Sequence, residues 1–193
     1  EQEIFQRDTV HLAMGYGRVM EELIALNRQL NDAGPGASPD QVLLMGMQAL
    51  MMANPHQMQV RWIDEQGRER IRFDREDDQV LRISEDQLQS KAHRDYTRKT
   101  LALAPGQFFI SAIDLNVEHN VVERPFKPTF RIALRLNNAR GFLIVNQNAS
   151  SIFESLQAKD ELIDTWLINS EGDWLKGPQP ELDWGFILGE HHH

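Results

Sequence analysis

The chain has 193 residues, of which 41% are hydrophobic and 25% are charged, proportions of a soluble globular protein rather than a disordered one. Its net charge of −9, from 20 Lys and Arg against 29 Asp and Glu, disfavours nucleic acid or an anionic membrane surface as the main partner. The sequence has no cysteine, which excludes disulfides and zinc–thiolate sites. No apolar run approaches the roughly 20 residues of a membrane span.

The first thirty residues predict one long helix with a single apolar stripe. Apolar side chains recur at alternating steps of four and three, which keeps them on one face of a helix. Two partners for this stripe stay open: a second copy of the chain in a homodimer, or the protein's own second helix or sheet. The stripe consists of Leu12, Tyr16, Val19, Leu23, Leu26 and Leu30.

A second helix is predicted after the break "NDAGPGAS", whose two glycines and proline end the first helix. It begins in "SPDQVLLMGMQALMM", with Ser38 as the N-cap and Pro39 at the first helical position. Gln41 completes a predicted capping box with Ser38, because the two side chains can satisfy each other's backbone N–H groups.

From Gln57 onward the hydrophobic period changes to two, which predicts strands. The stretch "QMQVRWIDEQGRERIRFDR" predicts a β-hairpin that turns at Asp64–Gly67. Further strands are predicted at "GQFFISAI", "FRIALRL" and "GFLIVNQ", followed by a helix at "ASSIFESLQ" and a last hairpin in "LIDTWLINSEGDWLKGP". The pattern predicts an α+β fold with a five-stranded antiparallel sheet flanked by helices.

The segment "LQSKAHRDYTRKT" concentrates positive charge around one tyrosine in an acidic chain. Arg94 and Tyr96 lie two residues apart, so an extended segment points them to the same side. There a guanidinium can hold a carboxylate while the phenol ring covers the apolar part of a ligand. Asp114 is the candidate partner for an ammonium group. The alternative is that Arg94 and Lys91 form surface ion pairs with nearby acidic residues.

No catalytic signature has the required spacing, since the sequence contains no Gly-rich phosphate loop, GxSxG elbow or HExxH helix. Asp114, Glu118 and His119 form the nearest approach to a set of metal ligands. A polar loop whose side chains cap its own backbone explains these residues better. We therefore expect a protein that is not an enzyme and has no metal or cofactor.

Five segments in this order resemble the extracytoplasmic sensor domains of bacterial transmembrane receptors. The family is the PAS-like PDC fold, also called double Cache, of sensor histidine kinases, diguanylate cyclases and chemoreceptors. The resemblance runs from Gln57 to Phe186 and rests on "VRWIDEQGRERIRFDR", "LQSKAHRDY", "FFISAIDLNVEHNVVERPFKPTFRIAL", "GFLIVN" and "WLINSEGDWLKGPQPELDWGF".

The resemblance implies a domain order. A long N-terminal helix would continue from a transmembrane segment, followed by a membrane-distal PAS-like domain with the ligand pocket and the start of a smaller membrane-proximal one. The hairpin Leu162–Leu175 would begin that second domain. The predicted division is a helical region at 1–55, the sensor domain at 56–158, a partial or vestigial proximal domain at 159–189, and a probable tag remnant at 190–193.

The resemblance also implies site residues. In amino-acid-binding members, an Arg-x-aromatic-aromatic run holds the ligand carboxylate and a later Asp holds the amino group. Arg94 and Tyr96 match that run, and Asp114 is the best candidate for the aspartate. Thr97 stands where the second aromatic is expected, and Gln89 where a tyrosine precedes the arginine. These departures argue against α-amino-acid specificity and leave an anionic or zwitterionic ligand.

Lys91 completes the predicted pocket, at its entry. The leading hypothesis is a periplasmic or extracellular sensing domain for an amino acid, organic acid or amine, flanked by transmembrane helices in its parent protein. The alternative is a protein-interaction or dimerisation domain of the same fold without a small-molecule ligand. In the sensor hypothesis the stripe of the N-terminal helix would be the homodimer contact that carries the signal to the partner subunit.

Overall fold

The structure is a computed structural model that describes residues 2–34, 36–118, 121–138, 140–157 and 166–189. Side chains are described from Gly17 onward within those ranges, apart from residues 118 and 155–157. The side chains of Leu12 and Tyr16 of the predicted stripe therefore lie outside what is described, as do His119 and the predicted tag at 190–193.

Five α-helices and two short 3₁₀ segments are present in the described ranges. The 3₁₀ segments are Glu85–Gln87 and Pro180–Leu182. The helices are α1 (Gln2–Asp32), α2 (Pro39–Ala53), α3 (Asp95–Leu101), α4 (Ser150–Gln157) and α5 (Gly185–Leu188).

Eleven strands are present in the same ranges. They are β1 (Gln57–Ile63), β2 (Glu69–Glu76), β3 (Gln79–Arg82), β4 (Phe108–Ile110), β5 (Asp114–Leu115), β6 (Val117–Glu118), β7 (Val121–Val122), β8 (Pro128–Arg135), β9 (Phe142–Asn148), β10 (Leu167–Ile168) and β11 (Trp174–Lys176).

The main sheet has the strand order β3-β2-β1-β9-β8-β4, and β5 also pairs with β8. The β1–β2, β1–β9, β2–β3 and β4–β8 pairs are antiparallel. The α+β class and the predicted hairpin β1–β2 are confirmed. The sheet has seven strands, and the prediction of five missed β3 and the two-residue strand β5. Strand β3 is a short edge strand that follows a two-residue turn in which Asp77 and Asp78 both have positive φ.

Helix α2 packs against β1 and β2, and α1 reaches α2 at a close approach. A side-chain carbon added to Gly46 would lie 2.2 Å from the Leu26 Cδ1 atom, so glycine permits this contact. Val19, Leu23, Leu26 and Leu30 are only 0–4% exposed. These four residues of the stripe are buried within the chain, which favours the alternative that the stripe packs on the protein itself, and the homodimer contact stays a prediction.

The start of α2 differs from the predicted capping box. Ser38 is the N-cap residue with Pro39 following it, as expected, but its side chain makes no capping hydrogen bond. Instead, the Ser38 carbonyl oxygen accepts hydrogen bonds from the backbone N–H groups of Gln41, at 3.0 Å, and Val42, at 3.1 Å.

The chain divides into two compact units. The first, called here the sheet unit, comprises Ala13–Ser111 and Arg131–Gln147, and the second comprises Glu1–Leu12, Ala112–Phe130 and Asn148–His193. The second unit has its own apolar core around Leu115, Leu175 and Trp184, which includes the predicted last hairpin, β10–β11. The domain boundaries given by the sequence stay a prediction.

Among the described residues, no helix combines the length and the apolar character needed to cross a membrane.

Candidate functional site

One face of the main sheet carries buried polar side chains. The alternation of β1 places Gln59 and Arg61 on the face opposite Val60 and Trp62. The register pairs Arg61 with Arg72 and Ile144, and it pairs Gln59 with Asp74 and Asn146. The resulting group, with side chains that approach it from neighbouring segments, is called the polar cluster. It comprises Gln59, Arg61, Glu69, Arg72, Asp74, Lys91, Arg131 and Asn146, all of them buried.

Hydrogen bonds across the strands hold the polar cluster together. Arg61 Nη2 donates to Asn146 Oδ1 at 2.7 Å, and Asn146 Nδ2 donates to Gln59 Oε1 at 3.0 Å. Arg72 forms a two-point ion pair with Asp74, Nε to Oδ1 at 2.7 Å and Nη2 to Oδ2 at 2.6 Å. Such paired, charge-assisted bonds fix the guanidinium planes.

Glu69 lies among three cations. Its Oε1 atom is 3.6 Å from Arg61 Nη1 and 4.0 Å from Lys91 Nζ, and its Oε2 atom is 3.9 Å from Arg72 Nη1. Oε2 accepts a hydrogen bond from the backbone N–H of Gln89 at 3.0 Å. Oε1 has no hydrogen-bond partner among the described residues. The carboxylate thus interacts with the cations mainly through charge.

The segment before α3 is fixed to the turn of the β1–β2 hairpin. Lys91 N–H donates to the Gly67 carbonyl at 2.7 Å, and Glu69 N–H donates to the Gln89 carbonyl at 3.0 Å. A further β-bridge joins Arg68 and Ser90. The Lys91 Nζ atom then reaches Gln89 Oε1 at 2.7 Å. These contacts place the ammonium group of Lys91 beside Glu69.

Tyr96 connects α3 to the polar cluster. Its ring packs in an apolar group with Ile63, Ala133, Phe142 and Ile144. Arg61 Nη1 donates to the Tyr96 hydroxyl at 3.3 Å. The guanidinium carbons of Arg61 and Arg131 each lie 5.7 Å from the centroid of the same ring, a distance at which cation–π attraction operates.

Thr97 follows Tyr96 on α3 and is 1% exposed. Its hydroxyl has no hydrogen-bond partner among the described residues. Thr100, one helical turn further, is also buried, but its hydroxyl donates to the Tyr96 carbonyl at 2.7 Å. A buried hydroxyl without a hydrogen-bond partner lowers the stability of the fold. The burial of the Thr97 hydroxyl therefore has to be explained, whereas the hydrogen bond of the Thr100 hydroxyl accounts for its burial.

The structure brings four of the predicted site residues together: Gln89, Lys91, Tyr96 and Thr97 occur in the sheet unit at or next to the polar cluster. Arg94 is the half-buried N-cap residue of α3, and its carbonyl accepts the N–H of Thr97 at 3.1 Å. The remaining residue of the prediction, Asp114, is half-buried on β5 in the second unit. The ligand-binding roles of Arg94 and Asp114 stay predictions.

The strand residues of the polar cluster were not among the residues predicted from the sequence. In "QMQVRWI" and "FRIALR" the polar residues alternate with apolar ones, a pattern that normally indicates a face in contact with water. Arg61 and Arg131 follow that pattern and yet are buried. The available signal was the run of three arginines and an aspartate in "RIRFDR", which is unusually charged for a strand inside a sheet.

A groove of about 600 Å³ opens on the other face of the sheet, where Trp62 and Ile71 lie. Its apolar lining also includes Leu44, and exposed arginines line it. Glu69 is the one residue of the polar cluster among the lining residues, and Gln89 lines the groove as well. Its polar lining comprises Ser38, Asp40, Gln41, Arg68, Glu69, Arg70, Arg82, Glu85, Gln89 and Ser90.

Metal ligation finds no support in the part of the chain that the structure describes, where no group of three or more His, Cys, Asp or Glu side chains could hold a metal ion. The sequence candidate of Asp114, Glu118 and His119 lies partly outside the described side chains.

The sequence from residue 22 to residue 193 matches the family model described as the sensor domain of bacterial histidine kinases. The chain belongs to this family. The match covers the whole polar cluster and, of α1, the residues from 22 onward. No curated protein matches the sequence of this sensor domain.

Solved structures show the same fold at low sequence identity. The extracellular domain of vpHK1S-Z8, a proposed histidine kinase, is 18% identical and superposes with a TM-score of 0.67, over 95% of this chain and 70% of that one. A domain of a sensory box/GGDEF protein from Vibrio parahaemolyticus is also 18% identical, with a TM-score of 0.69 over 95% and 74% of the two chains.

A chemoreceptor domain shares the fold too. The ligand-binding domain of Tlp3 from Campylobacter jejuni, solved in complex with L-valine, is 10% identical, with a TM-score of 0.62 over 93% of this chain and 70% of that one. These likenesses confirm the PAS-like sensor fold that the sequence resemblance predicted.

Proposed function

We propose that this sensor domain binds an anionic or zwitterionic small molecule at the polar cluster, outside the cytoplasm, and passes a conformational signal to the receptor of which it is part. The observation that carries the proposal is the burial of six charged side chains on one sheet face. Burying charges is unfavourable unless they are paired and hydrogen-bonded. A binding site accounts for this arrangement better than stability does.

The side chains around the cluster suit such a ligand. Lys91 and Arg61 offer charged donors, and the Tyr96 ring offers an apolar surface. The Thr97 hydroxyl, which lacks a partner within the described residues, would donate to or accept from the bound molecule.

A sensor domain of this kind performs no chemistry. Ligand binding shifts the equilibrium between two conformations of the domain. The size of the shift is set by the difference in ligand affinity between the two conformations. The segment Gln89–Thr97 is the element that ligand binding would move, because it carries Lys91 and Tyr96 and connects directly to α3. We propose that terminal helices transmit this displacement to the rest of the receptor.

The test is a thermal-shift screen of the domain against amino acids, carboxylates, amines and purines, with two matched variants. A ligand present at about 100 times its dissociation constant adds about 2.7 kcal/mol to the free energy of unfolding. Thr97→Val removes a hydroxyl that makes no hydrogen bond within the described residues, so it should leave the unliganded melting temperature unchanged or higher. It should weaken ligand binding about tenfold, as expected for one lost hydrogen bond.

Thr100→Val is the control, because the Thr100 hydroxyl already donates a hydrogen bond to the Tyr96 carbonyl within α3. We expect it to lower stability slightly and to leave ligand affinity unchanged. If Thr97→Val and Thr100→Val affect binding equally, the polar cluster is not the site. A screen without any stabilising compound would favour the alternative of a protein-interaction domain.

A further inference from the structure

We propose that the exposed face of α2 binds the same face of a second copy of this chain, with the two helices parallel and in register. This contact is independent of the ligand and of the polar cluster. Two methionines of α2 are largely exposed to water, although four other apolar side chains of the same helix are buried. Met45 is 64% exposed and Met52 is 70% exposed.

The exposed residues of α2 have the spacing of a helix-pair contact. Gln41, Met45, Gln48 and Met52 are all exposed, and they follow one another at steps of four, three and four residues. This spacing places them along one side of the helix, where the side chains of a second helix can pack between them. Ala49, which is also exposed, adds a small side chain beside them. These five residues are called here the methionine face.

The methionine face carries no charge in a chain that is strongly acidic. The net charge of −9 makes two copies repel each other in general. From Gln41 to Met52, however, no residue is Asp, Glu, Lys or Arg. In a parallel helix pair with two-fold symmetry each residue faces its own copy, so any charge in the contact would meet the same charge. The methionine face meets this condition for pairing with itself.

Other occupants fit the methionine face less well. The outer side of one helix is convex and cannot enclose a small molecule as a cleft does. A helix that lies on a lipid surface is typically rich in Lys and Arg on its polar face, but the sequence has neither residue between Arg28 and Arg61. A strongly charged partner protein would meet no opposite charge on this face. An uncharged face that is complementary to itself therefore favours a second copy.

The size of the methionine face predicts a weak contact. Stable interfaces bury roughly 800 Å² on each partner, and one side of a helix about three turns long provides less than that. We therefore expect the association of the domain to depend on its concentration, with dimers formed in concentrated solution. Methionine suits such a contact, because its unbranched side chain adapts to the surface that it packs against.

A charge exchange at Met45 tests the parallel arrangement. Sedimentation equilibrium over a range of concentrations compares the parent with Met45→Glu and with Met45→Lys. Each variant alone would place two like charges opposite each other, so we expect either substitution to weaken association at least about tenfold. An equimolar mixture of the two variants should associate again, because opposite charges then meet. Ile24→Glu, at a position of α1 that is 42% exposed, is the control and should associate like the parent.

The absence of cysteine from the sequence permits an independent test by disulfide formation. A disulfide requires the two Cα atoms to lie within about 7 Å of each other. In the parallel pair, Met45→Cys and Met52→Cys should therefore each give a covalent dimer under mild oxidation, and Ile24→Cys should not. An antiparallel pair would instead place Met45 opposite Met52, so neither variant would link to itself.

The results that would contradict the proposal are distinct from those that concern the ligand. A parent that stays monomeric at the highest attainable concentration, with Cys variants that do not link, would overturn it. An association that Met45→Glu leaves unchanged, or a mixture of the two charged variants that stays monomeric, would do the same. Binding of the parent to phosphatidylcholine vesicles, if Met45→Glu abolished it, would assign the methionine face to a lipid surface instead. The thermal-shift screen decides the ligand proposal separately, because the polar cluster and the methionine face share no residue.

Discussion

Glu65 joins two turns of the sheet unit through a single carboxylate. Arg135 donates to both of its oxygens, at 2.7 and 2.9 Å, and Gly141 N–H donates to Oε1 at 2.9 Å. The Arg135 hydrogen bonds are the main cause of a lowered Glu65 pKa, and partial burial opposes them. Gly141 has a φ of +79°, and a Cβ atom there would lie 1.9 Å from the Ile63 carbonyl oxygen, so this turn needs glycine.

Replacing Glu65 by Gln should remove a pH-dependent part of the stability. The folded pKa lies below the ordinary value of 4.5, so the unfolded chain takes up the proton more readily. The stabilisation is complete above pH 4.5 and is lost as the pH falls through the lower folded pKa. We expect a loss of about 1 kcal/mol at neutral pH, measured by urea unfolding at several pH values.

Glu85→Gln is the control for this prediction, because Glu85 is exposed. The parent and the Glu65→Gln variant should converge in stability at acidic pH, where Glu65 is protonated in both states. A stability difference that is independent of pH would show that the Glu65 charge is not the cause.

At the scale of elements, the β1–β2 hairpin positions the segment that carries Lys91 and Tyr96. Gly67 in its turn accepts the Lys91 N–H and has a φ of +75°. A Cβ atom on Gly67 would lie 2.6 Å from the Ala92 Cα atom and 2.9 Å from its backbone nitrogen. Because these are backbone atoms, the segment itself would have to move.

Gly67→Ala should therefore weaken ligand binding, because it displaces the segment that carries Lys91 and Tyr96. Backbone strain in the turn alone would lower stability without this effect. Gly106→Ala is a matched control, since Gly106 has a similar φ of +83° and no described atom within 4 Å of the added carbon. We expect backbone strain to lower the free energy of unfolding of both variants by about 1 kcal/mol. In Gly67→Ala the clash with the Ala92 backbone should lower it further and weaken ligand binding. Calorimetric titration and chemical unfolding of both variants measure this, and equal behaviour of the two would contradict it.

At the scale of the whole molecule, burial of the α1 stripe limits how copies of the chain can associate. Four side chains of the stripe are buried within the protein, so an association between copies of the chain would need other surfaces. They are Val19, Leu23, Leu26 and Leu30. Ile24, on the same helix, is 42% exposed. Of the two partners that the sequence left open for the stripe, the protein's own elements are favoured by the burial of these four side chains.

Leu23→Ala should lower the free energy of unfolding by about 2–5 kcal/mol without changing the oligomeric state. Ile24→Ala should change stability by at most about 0.5 kcal/mol. Unfolding in urea and sedimentation equilibrium of the parent and both variants check this. A Leu23→Ala variant of unchanged stability but altered association would contradict this expectation and support the stripe as a dimer contact.

Much of the fold could be predicted because its signals are local. The glycine and proline after α1, the Asp64–Gly67 turn and the two-residue alternation around Val60 and Phe73 each depend on a few neighbouring residues. The strand β3 escaped prediction because its four residues are mostly exposed and show no apolar alternation. The candidate site was predicted in part, since Lys91, Tyr96 and Thr97 lie in one contiguous segment.

The sequence by itself determined the α+β class, the first hairpin and the break between the first two helices, and it singled out the segment Gln89–Thr97 as a candidate. Only the tertiary structure decided that Arg61, Arg72 and Arg131 are buried, and that the α1 stripe is covered. The physical reason is that a strand or helix pattern specifies which side chains share a face but not what covers that face. Burial of a polar face depends on α3 and its preceding segment, and the contact of Tyr96 with Arg61 joins residues 35 positions apart in sequence.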